Sequence, residues 1–412
     1  MDDGNALYFF VNIHGKICAT QQLNKPFLYG IIYICMSINI SIISKHIKHP
    51  RRFLMEKLTV LTLFGGNSSE HDVSTVSAAS VISNIPRDKY DIIMLGITKD
   101  GRWLRYDGDI DLLPEDKWLE DESKLRPAYL VPDSSVGGIV EIVDGKAVTT
   151  KVDVVFPVLH GKNGEDGTVQ GLLQLADLPF VGCDMLSSAD CMDKAVTNAL
   201  ADRAGIDQAK WLSFTEHEYR NNPQKLLDEA AEKLGYPIFV KPANAGSSVG
   251  ISKATDINSL ADGIEIAFAN DSKVVLEETV TGREVECAVL GNDEPIVATP
   301  GEIAPCNDFY DFDAKYVAGT SGLFIPARIS DEQLKAVKAQ AIKAYKALGC
   351  AGLSRVDFFV NDERILLNEI NTIPGFTSIS MYPKLFEHSG VSYPELLDRI
   401  LRLAIERKES RR

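Results

Sequence analysis

Leu58–Phe64 (LTVLTLF) is a nearly unbroken apolar run, and Gly65-Gly66-Asn67 stops it abruptly. A strand wetted on one side alternates apolar with polar residues. A short continuous run bounded by glycine reads instead as a strand buried on both faces, the kind found in parallel sheets between helices. Parallel strands need a crossover, and the chain supplies a helical stretch over 70–83 and a second apolar run over 91–97. Strand, glycine turn, helix and strand make a βαβ unit. Another buried strand is expected over 152–159, ending in His160-Gly161 and the loop GKNGEDG, with helices over 168–176 and 187–204. The first domain therefore reads as a doubly wound α/β layer ending near residue 190.

A smaller module follows, with a helix over 225–234, the strand PIFVK over 237–241 and the loop NAGSSVG over 244–250. A helix over 256–269 and a strand over 274–277 complete it. After Gly282 strands are expected over 284–290, 296–303 and 353–360. The last of these pairs with 365–371 across Asn361-Asp362-Glu363 as a hairpin. Helices cover 331–348 and 393–406. The chain is thus a series of α/β and α+β modules: 55–190, 191–284 and 285–412.

Residues 1–54 stand apart, with six Lys/Arg against two Asp/Glu, whereas the whole chain of 412 residues carries a net charge of −15. The stretch 28–43 is apolar but short of the roughly 20 residues that span a bilayer. Its basic cluster follows it, where a signal peptide would carry charge in front. Met55 reads as a natural beginning, so 1–54 is taken as an extension outside the core; a membrane tether is the alternative. The acidic balance argues against a nucleic-acid binder, which needs a basic surface. The seven cysteines are scattered with no CxxC pair, which excludes a zinc ribbon and a dithiol redox site and suits a reducing, cytoplasmic setting.

Several clusters could carry chemistry. Asp357 lies on one strand of the hairpin; Glu369 and Asn371 share a face of the other because side chains alternate along a strand. Two carboxylates and an amide oxygen suit Mg²⁺ carrying phosphates. Val356, Phe358, Leu366 and Ile370 would fill the opposite face; a solvated hairpin is the alternative. Lys241 precedes the small, flexible loop NAGSSVG, whose N–H groups could approach phosphate, although no Walker A motif is present. Glu277-Glu278 ends a strand and could accept from a nucleoside, or could simply be an exposed edge. Arg355, on the face of Asp357, could stabilise an oxyanion or merely balance the carboxylates.

Taken together these residues resemble the D-alanine–D-alanine ligases of the ATP-grasp superfamily. The resemblance runs from about Met55 to the C-terminus. Its matching stretches are FGGNSSEHDVS, VLHGKNGEDGTVQG, FVGCDMLSSADCMDK, FVKPANAGSSVG, FYDFDAKY, LSRVDFF and LNEINTIPGFTSISMYP, in family order. It implies an ATP-grasp fold with an N-terminal α/β domain, a small central domain and a C-terminal domain holding the metal. It also implies ATP-dependent joining of two D-alanine molecules through an acyl phosphate, for cell-wall precursor synthesis in the cytoplasm. Asp357, Glu369 and Asn371 match the family's magnesium ligands, for two ions that manganese could replace. Lys194, Lys241 and the lid lysine Lys315 match its ATP-phosphate lysines. Glu277 and Glu284 match its adenine and ribose contacts. Val280 and Glu278 complete the nucleotide set, Glu278 standing where some members carry lysine. Arg355 and the N–H of Gly375 match the oxyanion stabilisers. Glu70 matches the holder of the first substrate's ammonium, and His160 a position near the substrate carboxylate. Ser380 and Met381 match the second D-alanine's carboxylate site. Glu70, Ser247 and Tyr316 match a hydrogen-bonded latch that closes a lid. The resemblance further implies a homodimer, with no nucleic-acid or membrane partner.

Relatives that use D-lactate lack the Lys-Tyr pair, present here as Lys315-Tyr316. Those that use D-lactate or D-serine commonly carry arginine where this chain has Met381, so D-alanine is expected at the second site. Another ATP-grasp ligase would share Lys241 and the metal cluster without needing Glu70, Ser247 and Tyr316 together. A non-catalytic nucleotide-binding module would lack metal ligands or Arg355.

Overall fold

The computed structural model describes residues 8–11, 17–20, 57–304, 322–377 and 379–410. The chain divides into two compact units, Met1–Glu56 and Lys57–Arg412. In the first, β1 (Tyr8–Val11) pairs antiparallel with β2 (Ile17–Thr20), a hairpin the sequence reading did not anticipate. The apolar stretch 28–43 lies outside the described residues, as do Lys315 and Tyr316. Among the described residues no helix is long and apolar enough to cross a membrane.

Among the described residues the second unit holds three sheets. The first contains β3 (Leu58–Gly65), β4 (Tyr90–Ile97), β5 (Trp103–Tyr106), β6 (Leu125–Leu130), β7 (Gly138–Val143), β8 (Lys146–Lys151) and β9 (Val154–Pro157), in the order β8-β7-β6-β5-β4-β3-β9. Only β4, β3 and β9 are parallel. The two faces of β3 are both covered. Val60 and Phe64 pack with Ala78, Val81 and Ile82 of α1 (His71–Asn84), while Leu61 and Leu63 pack with Val169 and Leu173 of α2 (Thr168–Leu175). That is the doubly wound arrangement. The antiparallel meander β5–β8 was not expected. Its strands carry Arg105, Arg126, Glu141 and Lys151 and show no continuous apolar run.

The expected helix over 187–204 is two helices, α3 (Met185–Met192) and α4 (Lys194–Ala204). Asp193 breaks them apart: it takes extended backbone, and its carboxylate accepts the N–H groups of Ala195 and Val196. Aspartate competes with a helical turn for such donors and caps the next one. The second sheet orders β10 (Trp211–Thr215), β11 (Ile238–Pro242), β12 (Ser252–Ala254) and β13 (Lys273–Glu278) as β10-β13-β11-β12. Its core is shared with α5 (Glu216–Asn221), α6 (Pro223–Leu234) and α7 (Ile257–Phe268).

The third sheet contains β14 (Arg283–Gly291), β15 (Ile296–Val297), β16 (Gly301–Ala304), β17 (Gly322–Phe324), β18 (Gly352–Val360) and β19 (Ile365–Asn371). Its order is β17-β16-β14-β18-β19, with β15 beside β14. The expected strand 296–303 is split, with Pro300, which has no N–H to donate, in the gap. One face of the sheet packs on α8 (Asp331–Ala347) through Val337, Ala341 and Tyr345. At its end, α9 (Met381–His388) and α10 (Tyr393–Ser410) share a single apolar core with α1 and the first sheet.

Candidate active site

Three strands of the third sheet present one chemical face. The register places Glu286, Asp357 and Glu369 in a row across β14, β18 and β19, with Arg355 and Asn371 paired beside them. Val285, Cys287, Val356, Phe358 and Ile370 point the other way into the core beneath α8. The polar row therefore faces a cleft. The register of β18 and β19 slips between Asp357 and Phe358, so that Leu367, not Leu366, joins Phe358 and Ile370 in that core. Such bulges re-aim side chains.

Arg355 is enclosed by carboxylates. Its Nη2 lies 2.6 Å from Asp357 Oδ2 and 3.9 Å from Glu369 Oε1; its Nε lies 2.8 Å from Asp357 Oδ1 and 3.3 Å from Glu286 Oε2. Burial opposes the guanidinium charge, but Asp357 and Glu286 outweigh it and hold Arg355 firmly cationic. Asp357, Glu369 and Asn371 offer only hard oxygen donors, which fits Mg²⁺. Glu286 was not singled out from the sequence. It shares the strand parity of Glu284, but that β14 lies beside β18 is a tertiary fact.

The opposite wall comes from the first sheet. Glu70 is buried at the N-terminus of α1, where Ser247 Oγ donates to its Oε1. Ser68 ties the corner together: its Oγ accepts from Glu70 N–H at 3.2 Å and donates to His160 O at 2.9 Å. His71 staples the same turn, with Nδ1 at 2.7 Å from Gly66 O and Nε2 at 2.8 Å from Asp116 Oδ1. The His71–Asp72–Asp116 group is no metal site on this geometry. The Lys99 ammonium already sits against both carboxylates, 2.7 Å from Asp72 and 3.3 Å from Asp116.

His160 is buried, with Nδ1 at 3.2 Å from Ile373 O and Nε2 at 3.1 Å from Ser77 Oγ. A carbonyl can only accept, so the network assigns the hydrogen to Nδ1 and leaves Nε2 to accept from the serine. Burial lowers the His160 pKa and favours that neutral ring. Glu165 lies in the same cleft and accepts Gly161 N–H at 2.7 Å. Burial first, then the neighbouring Glu70, pushes its pKa up to about 8. Sequence reading passed over Glu165, although it stands in the quoted loop GKNGEDG.

Lys194, the first residue of α4, lines the cleft and donates to Ala245 O at 2.7 Å, tying the helix to the loop NAGSSVG. Glu284, Gly375, Ser380 and Met381 line it too. A side chain at Gly375 would press on Ser380 Oγ, 2.7 Å from the added Cβ. Met381 is buried and packs beside Gly301. Lys241 and Glu277 stand just outside, paired at 2.6 Å between β11 and β13. Glu277 also accepts from Asn198, which lines the cleft. The side chain of Glu278 is turned to the other face of the strand, accepting Lys210 N–H at 3.0 Å and lying 3.5 Å from Arg364. Val280 does not line the cleft either.

Residues 59–183 match the family model described as D-ala D-ala ligase N-terminus, and residues 200–402 the one described as D-ala D-ala ligase C-terminus. The chain belongs to the D-alanine–D-alanine ligase family. A D-alanine–D-alanine ligase of Acetivibrio thermocellus is 50% identical over 365 residues, covering 85% of this chain and 97% of that one. Among solved structures, the VanG D-Ala:D-Ser ligase of Enterococcus faecalis superposes with a TM-score of 0.78 at 45% identity, over 85% of this chain and 100% of that one. The D-alanine-D-alanine ligase of Coxiella burnetii gives 0.75 at 34% identity, over 86% and 97%. The neighbours of this ligase thus include enzymes named for two different second substrates.

Proposed function

We propose that the chain joins two D-alanine molecules into D-alanyl-D-alanine with hydrolysis of ATP to ADP and phosphate. The observation that carries this reading is the single cleft lined by Glu70, Ser247, Lys194, Arg355, Asp357 and Met381. Glu70 takes the ammonium of the first D-alanine. The carboxylate of that molecule attacks the γ-phosphorus of ATP, and ADP leaves. The amine of the second D-alanine then attacks the acyl carbon, and phosphate leaves as the tetrahedral adduct collapses. Arg355 and Gly375 N–H stabilise the oxyanion at that stage. His160, neutral and fixed by Ser77 and Ile373, lies near the substrate carboxylate without adding charge. Lys194, Lys241 and Lys315 neutralise the phosphates; Glu277 and Glu284 hold the nucleoside end. Asp357, Glu369 and Asn371 would hold magnesium, which when bound screens phosphate charge for transfer. Ser247 and Tyr316 latch a lid on Glu70, excluding water from the acyl phosphate. The three modules 55–190, 191–284 and 285–412 then act as substrate, nucleotide and metal domains. The reading includes a cytoplasmic homodimer that feeds cell-wall synthesis.

The match to a D-Ala:D-Ser ligase favours D-serine as a second reading. Met381 speaks against it, since a buried thioether offers a hydroxyl no strong partner. The test is phosphate release with ATP and Mg²⁺, using D-alanine alone and then with D-serine or D-lactate, and weighing the products by mass. D-alanyl-D-alanine alone is expected. A mixed product would shift the reading to D-serine or D-lactate, and no turnover with any D-amino acid would overturn it.

A further inference from the structure

Three carboxylates line up across β14, β18 and β19, yet the family resemblance assigns metal-binding roles to two of them only, Asp357 and Glu369. The third, Glu286, is buried and lines the same cleft. Its register partner is Asp357, and its Oε2 lies 3.3 Å from Arg355 Nε. We infer that Glu286 is a positioning residue: it acts as a counter-ion of Arg355, and it leaves Asp357 and Glu369 to hold the metal.

Charge and geometry carry this inference, which rests on the reading of Asp357 and Glu369 as metal ligands. Arg355 places a full positive charge within 4 Å of both. A guanidinium so close repels a divalent cation, and two carboxylates shared with it keep little net charge for the metal. A third carboxylate restores the balance. One acid neutralises the arginine, and two remain for the metal. Geometry assigns the parts. Asp357 and Glu369 are neighbours on the hairpin and lie beside Asn371, the amide ligand of the set. Glu286 lies on β14, on the far side of Asp357 from Glu369 and Asn371, yet its carboxylate reaches Arg355 Nε. When Asp357 turns its oxygens to a metal, Glu286 remains to hold Nε and keep the guanidinium aimed across the cleft. Without it the arginine would compete with the metal for Asp357, and both the metal and the oxyanion would lose a partner.

The test is a double-mutant cycle read at equilibrium without turnover. Mg²⁺ binding to the full-length protein with ADP is measured by isothermal titration for wild type, Glu286→Gln, Arg355→Gln and the double variant. Circular dichroism verifies that each is folded. Glu286→Gln keeps the size and one acceptor oxygen and removes the charge. Glu286→Gln is expected to weaken Mg²⁺ binding by about tenfold, and to do nothing further once Arg355 is glutamine. Its kcat is expected to fall by about tenfold or more, with KM for ATP within about twofold. Equal weakening in both backgrounds would make Glu286 a direct metal ligand and overturn the inference. Unchanged Mg²⁺ affinity in folded Glu286→Gln would overturn it as well. If wild type binds no Mg²⁺, the metal-site reading itself fails, and that outcome is recognisable without any variant.

Discussion

Glu70 and Glu165 put two carboxyls in one corner of the cleft, and Ser247 donates to the first. Glu165, pushed up to about 8, keeps its proton at neutral pH. A raised carboxyl pKa means that the fold favours the protonated form. The stability that this form contributes is complete below the ordinary glutamate pKa and is lost as pH rises through about 8. Between pH 5 and 8.5 the ligand-free protein should therefore lose roughly 4 kcal/mol more stability than Glu165→Gln, which cannot ionise. Urea unfolding at the two pH values measures this, and parallel losses would show that Glu165 is not the group responsible. Ser247→Ala tests the neighbouring contact. It leaves Glu70 without its hydroxyl donor and should raise KM for the first D-alanine by about threefold to tenfold, the net worth of one hydrogen bond. KM for ATP serves as the internal control, and an equal rise in both would point to a shifted loop.

At the scale of single elements, the break at Asp193 sets where α4 begins. Its carboxylate caps α4 and pairs with Lys273 of β13, so the first residue of the helix, Lys194, is fixed against the second sheet. Asp193→Ala should cost about 1–2 kcal/mol of stability from the lost cap and raise KM for ATP. Asp193→Asn, which keeps a capping oxygen, should recover most of the stability; denaturant midpoints of both variants decide it. The same break shows why the sequence was legible only in part. The strands Leu58–Gly65, Gly352–Val360 and Ile365–Asn371 were readable because apolar content and glycine or turn residues mark them independently of what surrounds them. The helix over 187–204 was read as continuous because its composition is helical throughout; only the cap geometry reveals two segments. The meander β5–β8 escaped because strands half-covered by solvent carry charges wherever their neighbours allow. The site residues were legible as short motifs. Glu286 and Glu165 were not, because their importance comes from neighbours distant in sequence: Arg355 and Asp357 for one, Glu70 and Ile373 for the other.

For the whole molecule, catalysis as proposed requires the wall bearing Glu70 and His160 to meet the carboxylate row of the third sheet at fixed distance. A shared core enforces this. Phe156 of β9 meets Phe376 edge-to-face with centroids 5.8 Å apart, and Tyr90 donates to Asp398 of α10 at 2.8 Å. The described residues of the apolar cluster formed by α1, α9, α10 and the first sheet lie within Lys57–Arg412. So do the described residues that line the cleft. The relatives point the same way, since the Acetivibrio enzyme is matched over 97% of its own length by 85% of this chain. A protein beginning at Met55 should therefore keep kcat/KM for D-alanine within about twofold of the full chain. Its thermal midpoint should stay within about 2 °C. Side-by-side phosphate-release assays and calorimetry on the two lengths measure both quantities. A collapse of either would mean that residues 1–54 contribute to the folded enzyme, and the second unit would then have to be redrawn to include them.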